Sequence, residues 1–270
     1  MARFTGKVAF ITGAAHGQGR AVAVALAREG ARIAALDVAR PLAYPGYTLG
    51  SRADLAGLGE ECRRLGTLCL TFAADVRDDA AVTAAVDATV EAYGRIDGLV
   101  NAAGLTDRGT LLDTTPELFD GHVAINLRAP FFLMQAVVAH LVARRAPGAI
   151  VNIISISERG GQPYLTPYVA AKAGLAGLTR NVAHAHRHDR IRINGLDIGW
   201  TDTEGEDEIQ RRFHDADEGW RERAGQRLPM GRLSQVDEIA DMVVFLLSDR
   251  SGVVTGSVID WDQNVLGGLD

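Results

Sequence analysis

The chain has 270 residues, 47% of them apolar and 23% charged, which is typical of a globular α/β domain. Its 28 basic and 34 acidic side chains give a net charge of −6, which argues against a nucleic-acid-binding protein. Two cysteines, Cys62 and Cys69, are too few for a disulfide framework or a cysteine-rich zinc site. No signal-peptide pattern is present and no apolar run approaches the roughly 18 residues of a membrane span, so we expect a cytoplasmic protein with no membrane partner.

Strands and helices are predicted to alternate along the chain. Short apolar runs predict buried strands, and longer Ala/Leu-rich stretches between capping residues predict helices. The predicted strands lie at 7–12, 31–37, 67–73, 96–101, 148–155, 191–197 and 257–260. The predicted helices lie at 17–30, about 52–65, about 78–93, about 116–144, 167–188 and 235–247.

This alternation predicts a fold of the α/β class, a Rossmann-like doubly wound parallel sheet flanked by helices, in a single domain that covers 1–270. The apolar strands agree with a sheet that is buried on both faces. Two segments interrupt the alternation: an insertion rich in Pro, Gly and Tyr at about 39–51, and a charge-rich stretch at about 201–227. Long segments of this kind are typically binding loops or lids in compact domains.

The first predicted β–α turn reads T-G-A-A-H-G-Q-G over residues 12–19. Glycines let such a turn approach a pyrophosphate closely, and the following helix presents free N–H groups and a partial positive charge. Because the turn follows a strand and opens a helix, we predict that it binds a dinucleotide. The cofactor-binding candidates in it are Gly13, His16, Gly17, Gln18 and Gly19.

Asp37 stands at the end of the second predicted strand, about 20 residues after these glycines, where an acid binds the adenosine ribose hydroxyls. Its negative charge repels a 2′-phosphate, so the sequence predicts NAD rather than NADP as cofactor. His16 and Arg40 are the nearby groups that would soften this preference. The alternative is that Asp37 merely caps a helix or turn.

Tyr168 and Lys172 are four residues apart on one predicted helix and therefore share a face. A tyrosine has a pKa near 10, and an ammonium one turn away is expected to lower it, so that the phenol exchanges protons with an alcohol or carbonyl. Ser155 ends the preceding strand, where its hydroxyl can donate to the reacting oxygen. The alternative is a surface pair without function.

The chain resembles the short-chain dehydrogenase/reductase family over almost its whole length. Besides the glycine-rich turn, the matching pieces are Asp75-Val76, N-A-A-G (101–104), Asn126, N-I-I-S (152–155) and Y-V-A-A-K (168–172). The resemblance implies an oxidoreductase that interconverts a secondary alcohol and a ketone with NAD. It also implies a homotetramer that assembles through the helices at 116–144 and 167–188.

The resemblance assigns a role to each matching residue. Tyr168 is the acid/base, Ser155 orients the reacting oxygen, Lys172 holds the nicotinamide ribose, and Asn126 supports a water-linked proton path from Lys172. Further cofactor contacts are implied for Asp75, Val76, Asn101, Gly104, Ile198, Gly199, Thr201 and Thr203. Ile198 departs from the family pattern, which has proline before this glycine.

The insertion resembles that of a subgroup whose NAD is tightly held and re-oxidised in place, and the stretch at about 201–227 occupies the position of the family's mobile substrate lid. The subgroup includes terpenoid alcohol dehydrogenases.

Polar residues near Ser155 and the lid favour a polyol, sugar or cyclitol as the small-molecule substrate. Those expected to contact the substrate itself are Ser155, Ser157, Gln162 and Tyr168, with Glu158, Arg159, Asp202 and Glu204 nearby. Three alternatives remain: an NADPH-linked ketoreductase of secondary metabolism, a terpenoid alcohol dehydrogenase and a non-catalytic nucleotide-binding protein. No metal site is predicted, because no cysteine or carboxylate pair accompanies His184 and His188.

Overall fold

A computed structural model of the protein describes residues 2–43 and 46–264. The strands are β1 Val8–Thr12, β2 Arg32–Asp37, β3 Cys69–Ala73, β4 Gly98–Asn101, β5 Gly148–Ile153, β6 Ile191–Ile198, β7 Thr201–Asp202, β8 Ser234–Gln235 and β9 Val258–Trp261. The helices are α1 Gly17–Arg28, α2 Arg52–Arg64, α3 Asp79–Tyr93, α4 Pro116–Val123, α5 Ala129–Ala143, α6 Thr166–Ala185, α7 Glu204–His214, α8 Trp220–Gln226 and α9 Val236–Leu247.

Seven strands form one parallel sheet in the order β3-β2-β1-β4-β5-β6-β9. This order places β1 and β4 side by side in the middle of the sheet, with the chain running outward from β1 to β3 on one side and from β4 to β9 on the other. The direction of winding therefore reverses between β1 and β4, which is where ligands bind in open α/β sheets. The predicted Rossmann-like doubly wound fold is confirmed.

Helices cover both faces of this sheet and bury its apolar side chains. On one face α1, α2 and α9 pack on β-strand residues such as Ile11 and Val151. On the opposite face α3, α5 and part of α6 pack on residues such as Phe10 and Ile150. Because each strand is buried on both faces, its apolar residues run continuously instead of alternating, as the sequence pattern indicated.

The helical stretch Pro116–Ala143 contains an 18-residue window with a mean hydropathy of 1.4 and, by length and composition alone, could cross a membrane. The expectation that no apolar stretch reaches this length was therefore wrong. Half of the window is buried inside the domain, where Leu133, Val137 and Leu141 pack on the sheet. A core helix passes the same test, so the stretch is weak evidence for a membrane segment.

A π-helical turn, Ala124–Arg128, joins α4 to α5 within this stretch. Such single π turns interrupt α-helices and are frequent at functional sites. Here the turn carries Asn126, which is fully buried.

The two segments that interrupt the alternation pack against each other. Of the insertion at about 39–51, residues 44 and 45 lie outside the described part of the chain. The stretch at 201–227 forms β7, α7 and α8, and β7 pairs with β8. The backbone N–H of Thr48 donates to Glu208 on α7 at 2.7 Å, and Arg212 on the same helix donates to the carbonyl of Gly46.

Candidate active site

A cleft of about 720 Å³ opens at the carboxyl ends of the strands. It brings together most residues that the sequence predicted for cofactor and substrate binding. From the first turn to the start of α7 these are Gly13, His16, Gly17, Gln18, Gly19, Asp37, Asp75, Val76, Gly104, Ser155, Ser157, Gln162, Tyr168, Lys172, Ile198, Gly199, Thr201 and Thr203.

The glycine-rich turn forms a cradle that larger residues would fill. A Cβ on Gly19 would lie 2.1 Å from the carbonyl oxygen of Gly13, and a Cβ on Gly13 would lie 2.8 Å from the backbone of Ala103. Gly13 also has a φ of +67°, which disfavours any side chain. The turn therefore leaves space at the N-terminus of α1, beside Gly17 and Gln18. This fits a bound pyrophosphate.

Asp37 ends β2 and is 3% exposed. Its two carboxylate oxygens accept hydrogen bonds from the backbone N–H groups of Ala15 at 3.0 Å and Ala39 at 2.9 Å. It thus joins the glycine-rich turn to the start of the insertion, while still lining the cleft. The carboxylate therefore stabilises a turn, as one interpretation of the sequence predicted, and its contact with a ribose stays a prediction.

Arg40 does not face the cleft as a free cation. Its guanidinium lies 3.4 Å from Asp75, which also accepts bonds from the Arg77 guanidinium at 2.6 and 2.9 Å. Asp75 and Val76 line the same end of the cleft. The cation that would soften a preference for NAD is therefore engaged by a carboxylate.

Ser155 and Tyr168 face each other across the cleft, from the end of β5 and the start of α6. The side chains of Ser155 and Thr106 hydrogen-bond the phenol of Tyr168. The Ser155 hydroxyl also donates to Ser157 at 3.0 Å, and Ser157 donates to Gln162 at 2.7 Å. A short chain of hydroxyls therefore leads from the tyrosine into the substrate side of the cleft.

Lys172 lies one turn beyond Tyr168 and is 5% exposed. Its ammonium donates to the carbonyl of Ile153 at 2.8 Å and stands 5.6 Å from the centre of the Tyr168 ring. Burial lowers the pKa of Lys172 to about 8, and the buried carboxylate of Asp197 acts to raise it. The predicted pairing of ammonium and phenol on one helix face is present.

The prediction of a lowered pKa for Tyr168 is wrong for the protein on its own. Burial raises the pKa of Tyr168 above its usual value, and hydrogen bonding with Ser155 and Thr106 offsets this only in part. The cost of placing a phenolate in a buried cleft therefore outweighs the effect of the nearby Lys172 charge on which the prediction was based.

Two amides predicted as functional sit behind the cleft wall. Asn126 is held by the backbone of Leu105, donating to its carbonyl at 3.0 Å and accepting from its N–H at 3.2 Å. Asn101 donates to Asn152 at 2.7 Å and does not line the cleft, because its side chain points between β4 and β5. Asn126 therefore holds the loop after β4, whereas Asn101 links β4 to β5.

The loop after β6 reaches the cleft despite its departure from the family pattern. Ile198 and Gly199 line the cleft, and the Thr201 hydroxyl donates to the Gly199 carbonyl at 3.0 Å. The Thr203 hydroxyl accepts from the N–H of Glu206 at 3.0 Å and so caps α7. The two threonines thus shape the loop besides facing the cleft.

Several polar residues expected near the substrate point elsewhere. Arg159 forms ion pairs with Asp197, at 3.2 Å, and with Asp260. Asp202 is paired with Arg221 at 2.8 Å. Their charges are satisfied within the fold, so the polar character of the cleft comes from other side chains.

The cleft also contains residues that the sequence did not predict, among them Tyr47, Thr106, Arg108 and Glu206. The Arg108 guanidinium lies over the rings of Tyr164 and Phe213 at 5.0 and 4.9 Å. Glu206 accepts from the Trp200 indole at 2.7 Å, and burial raises the pKa of this carboxyl.

A usable signal existed for Thr106, which follows N-A-A-G directly after a strand end. No such signal existed for Tyr47, because local sequence patterns do not indicate where a long insertion runs.

Across 2–43 and 46–264, no group of three His, Cys, Asp or Glu side chains is placed to hold a metal ion.

The fold and the cleft together define a dinucleotide-binding oxidoreductase of the Rossmann-like class. A family model described as enoyl-(acyl carrier protein) reductase matches residues 13–264. The 3-oxoacyl-[acyl-carrier-protein] reductase FabG of Thermotoga maritima is 34% identical over 264 residues, covering 98% of this chain and 99% of that protein. The chain belongs to the short-chain dehydrogenase/reductase family, as its motifs predicted.

Two further relatives differ in their named substrates. Sorbitol dehydrogenase of Cereibacter sphaeroides is 31% identical over 264 residues, covering 96% of this chain and 97% of that one. The crystal structure of carveol dehydrogenase from Mycobacterium avium in complex with NAD superposes with a TM-score of 0.91 at 32% identity, covering 98% of this chain and 99% of that one.

Proposed function

We propose that this oxidoreductase interconverts a secondary alcohol and a ketone with NAD as cofactor. The observation that carries the proposal is the phenol of Tyr168, hydrogen-bonded by Ser155 and Thr106 and backed by the buried ammonium of Lys172. A purely nucleotide-binding protein has no need of a buried proton-transfer group at the far end of the cleft from Asp37.

The cleft suits a nicotinamide dinucleotide on its own geometry. The glycine cradle is one that a Cβ would fill, and the buried Nδ1 of His16 has no hydrogen-bond partner among the described residues. Asp37 and Val76 would hold the adenosine end, and Lys172 the nicotinamide ribose. When bound, the nicotinamide supplies the hydride acceptor or donor.

The residues of the chain handle the proton. In oxidation, the alcohol O–H gives its proton to the Tyr168 oxygen while a hydride leaves the carbinol carbon. In reduction, the Tyr168 hydroxyl returns a proton to the carbonyl oxygen. The Ser155 hydroxyl stabilises charge on the reacting oxygen. Lys172 places a positive charge where it stabilises the phenolate that oxidation requires.

A panel of alcohols tests this function. The panel contains polyols, sugars, cyclitols and a monocyclic terpene alcohol, each supplied with NAD, and absorbance is followed at about 340 nm, where the reduced nicotinamide absorbs. We expect turnover with at least one secondary alcohol. A protein that binds NAD but oxidises no member and reduces none of the matching ketones would overturn the proposal.

The preference for NAD is assigned to Asp37. Replacing it with serine removes the charge that repels a 2′-phosphate and weakens NAD binding by roughly 1–3 kcal/mol, the effect of hydrogen bonds to a charged group. Titration calorimetry with both cofactors measures the difference in affinity between NAD and NADP. This difference should be smaller in the variant than in wild type. Asp37→Asn is the matched control, because it removes the charge while retaining an acceptor for Ala15 or Ala39. Wild-type protein that binds NADP more tightly than NAD would contradict the assignment.

The insertion and α7 are proposed to form one cover over the cofactor. Leu42, Tyr47 and Leu49 line the cleft, and the backbone at Gly50 is so close to Ala15 that a Cβ would lie 2.5 Å from that side chain. NAD should therefore leave slowly, and purified protein should carry it through gel filtration. Protein that emerges free of nucleotide and exchanges NAD rapidly would contradict a trapped cofactor.

The segment 201–227 is proposed as the substrate lid, with α7 as its moving part. α7 has no fully buried residue, and hydrogen bonds join it to the insertion. We expect hydrogen exchange in 204–214 and in 46–51 to slow together when cofactor and substrate are bound, because one cover closes over the site. Unchanged exchange in a saturated complex would exclude closure.

A polyol, sugar or cyclitol is the substrate class we favour. Ser157, Gln162, Gln210 and Glu206 line the cleft and offer hydrogen-bond groups. A terpenoid alcohol is the second candidate, supported by the insertion and by aromatic walls at Trp200 and Phe213. The alcohol panel separates the two.

A homotetramer and a cytoplasmic location remain predictions. The outer face of α5 and its neighbour α6 form a shallow apolar groove lined by Val123, Leu127, Phe131, Gly174 and Leu178. Phe131 is 42% exposed. These are the helices through which the family resemblance implies assembly.

A further inference from the structure

Tyr47 is the one residue of the insertion whose side chain makes a described hydrogen bond at the substrate end of the cleft. Its hydroxyl oxygen accepts from the backbone N–H of Thr106 at 3.1 Å. Its ring lies beside Gly205 at the start of α7, where a Cβ on the glycine would be 3.6 Å away. The side chain is thus held between the loop after β4 and the lid.

The proton of Tyr47 is free for a ligand. Within 2–43 and 46–264 the hydroxyl accepts one bond and no acceptor for its own proton is found. Burial raises the pKa of Tyr47 above its usual value, so the group remains a neutral donor at physiological pH. Because Tyr47 lines the cleft and donates to no described protein group, its proton is available to a ligand oxygen.

The distance from Tyr47 to the reacting centre is short. Thr106 links the two tyrosines: its N–H donates to Tyr47, and its side chain hydrogen-bonds Tyr168. The two phenol oxygens are therefore no more than about 10 Å apart, the reach of two hydrogen bonds and the three bonds within one residue. Two oxygens on adjacent substrate carbons, with one hydrogen bond at each end, reach across about 9 Å, which lies within this limit.

We propose that Tyr47 is a specificity-determining residue that donates a hydrogen bond to a second substrate oxygen, next to the reacting carbinol, so that the enzyme prefers vicinal diols and α-hydroxy ketones over simple alcohols. This rests on the proposed function. It assigns to the insertion a role in choosing the substrate, besides covering the cofactor.

The test compares wild type with Tyr47→Phe on two alcohols that share a carbon skeleton, cyclohexanediol with neighbouring hydroxyls and cyclohexanol. In wild type, kcat/KM should favour the diol by about tenfold, the effect of one neutral hydrogen bond. In Tyr47→Phe the ratio of kcat/KM for the diol to kcat/KM for cyclohexanol should fall to about one, mainly through a higher KM for the diol. An unchanged circular dichroism spectrum shows that the variant is folded.

Tyr93→Phe is the matched control, because it also removes one tyrosine hydroxyl, here one that donates to Ile33 at 3.5 Å away from the cleft. It should leave the diol preference intact. A wild type without diol preference, or a Tyr47→Phe variant that keeps it, would overturn the inference while the proposed function stands. A wild type that oxidises neither these alcohols nor any other member of the panel would overturn both.

Discussion

Tyr168→Phe is expected to lower turnover by at least about 10²-fold, the low end of general acid–base contributions. The substitution deletes the oxygen that Ser155 and Thr106 hydrogen-bond and leaves the ring in place beside His122, whose centre lies 6.4 Å away. The cleft should keep its shape, because only one atom is removed. Steady-state kinetics on the best alcohol of the panel measures the loss.

NAD affinity separates a chemical effect from a structural one. The glycine cradle and Asp37 lie at the other end of the cleft, so Tyr168→Phe should bind NAD as wild type does, with an unchanged circular dichroism spectrum. Near-wild-type turnover in this variant would remove Tyr168 as the acid/base. The non-catalytic nucleotide-binding protein would then become the better hypothesis.

Lys172→Arg is expected to cost at least about 10²-fold in turnover although the positive charge is kept. Only two of the 28 basic residues in the chain are lysines, and one of them is Lys172. The ammonium sits in a 5% exposed position with the Ile153 carbonyl at 2.8 Å, where a wide planar guanidinium does not fit without displacement. The positive charge is therefore misplaced relative to the phenol.

The double variant shows whether the two residues act as one unit. If Lys172 works through Tyr168, the combined loss should be close to that of Tyr168→Phe alone, because groups that serve one proton transfer are not additive. Lys7→Arg is the control, since Lys7 lies at the start of β1 outside the cleft and should tolerate the change. A loss of turnover in the double variant equal to the product of the two single losses would indicate that the residues have separate roles.

Most of the fold was predictable because its signals are local. The buried strands, the Ala-rich α1 and the capped helices follow from apolar runs and turn residues, and parallel order follows from their alternation. Tyr168 and Lys172 of Y-V-A-A-K lie on one helix face as predicted, because four residues make about one helical turn. The predicted end of the helix at 167–188 was too late, since α6 ends at Ala185 and a short 3₁₀ turn follows.

The rest depends on contacts between distant parts of the chain. Arg159 was expected near the substrate, but the carboxylates of Asp197 and Asp260 on β6 and β9 hold it. Tyr47 reaches the cleft because the insertion runs along it and packs on α7, which no local pattern indicates. The raised pKa of Tyr168 likewise reflects burial by several segments at once.

A single-turnover experiment tests the central claim most directly. Wild type and Tyr168→Phe are each loaded with NAD at a concentration comparable to that of the protein. Each protein is then mixed with the best alcohol of the panel, and absorbance is followed at about 340 nm. We expect wild type to form one reduced nicotinamide per active site, whether or not the cofactor can leave, and Tyr168→Phe to form it at least about 10²-fold more slowly. Equal rates in the two proteins, or no reduction in wild type with any alcohol while NAD is bound, would contradict the account.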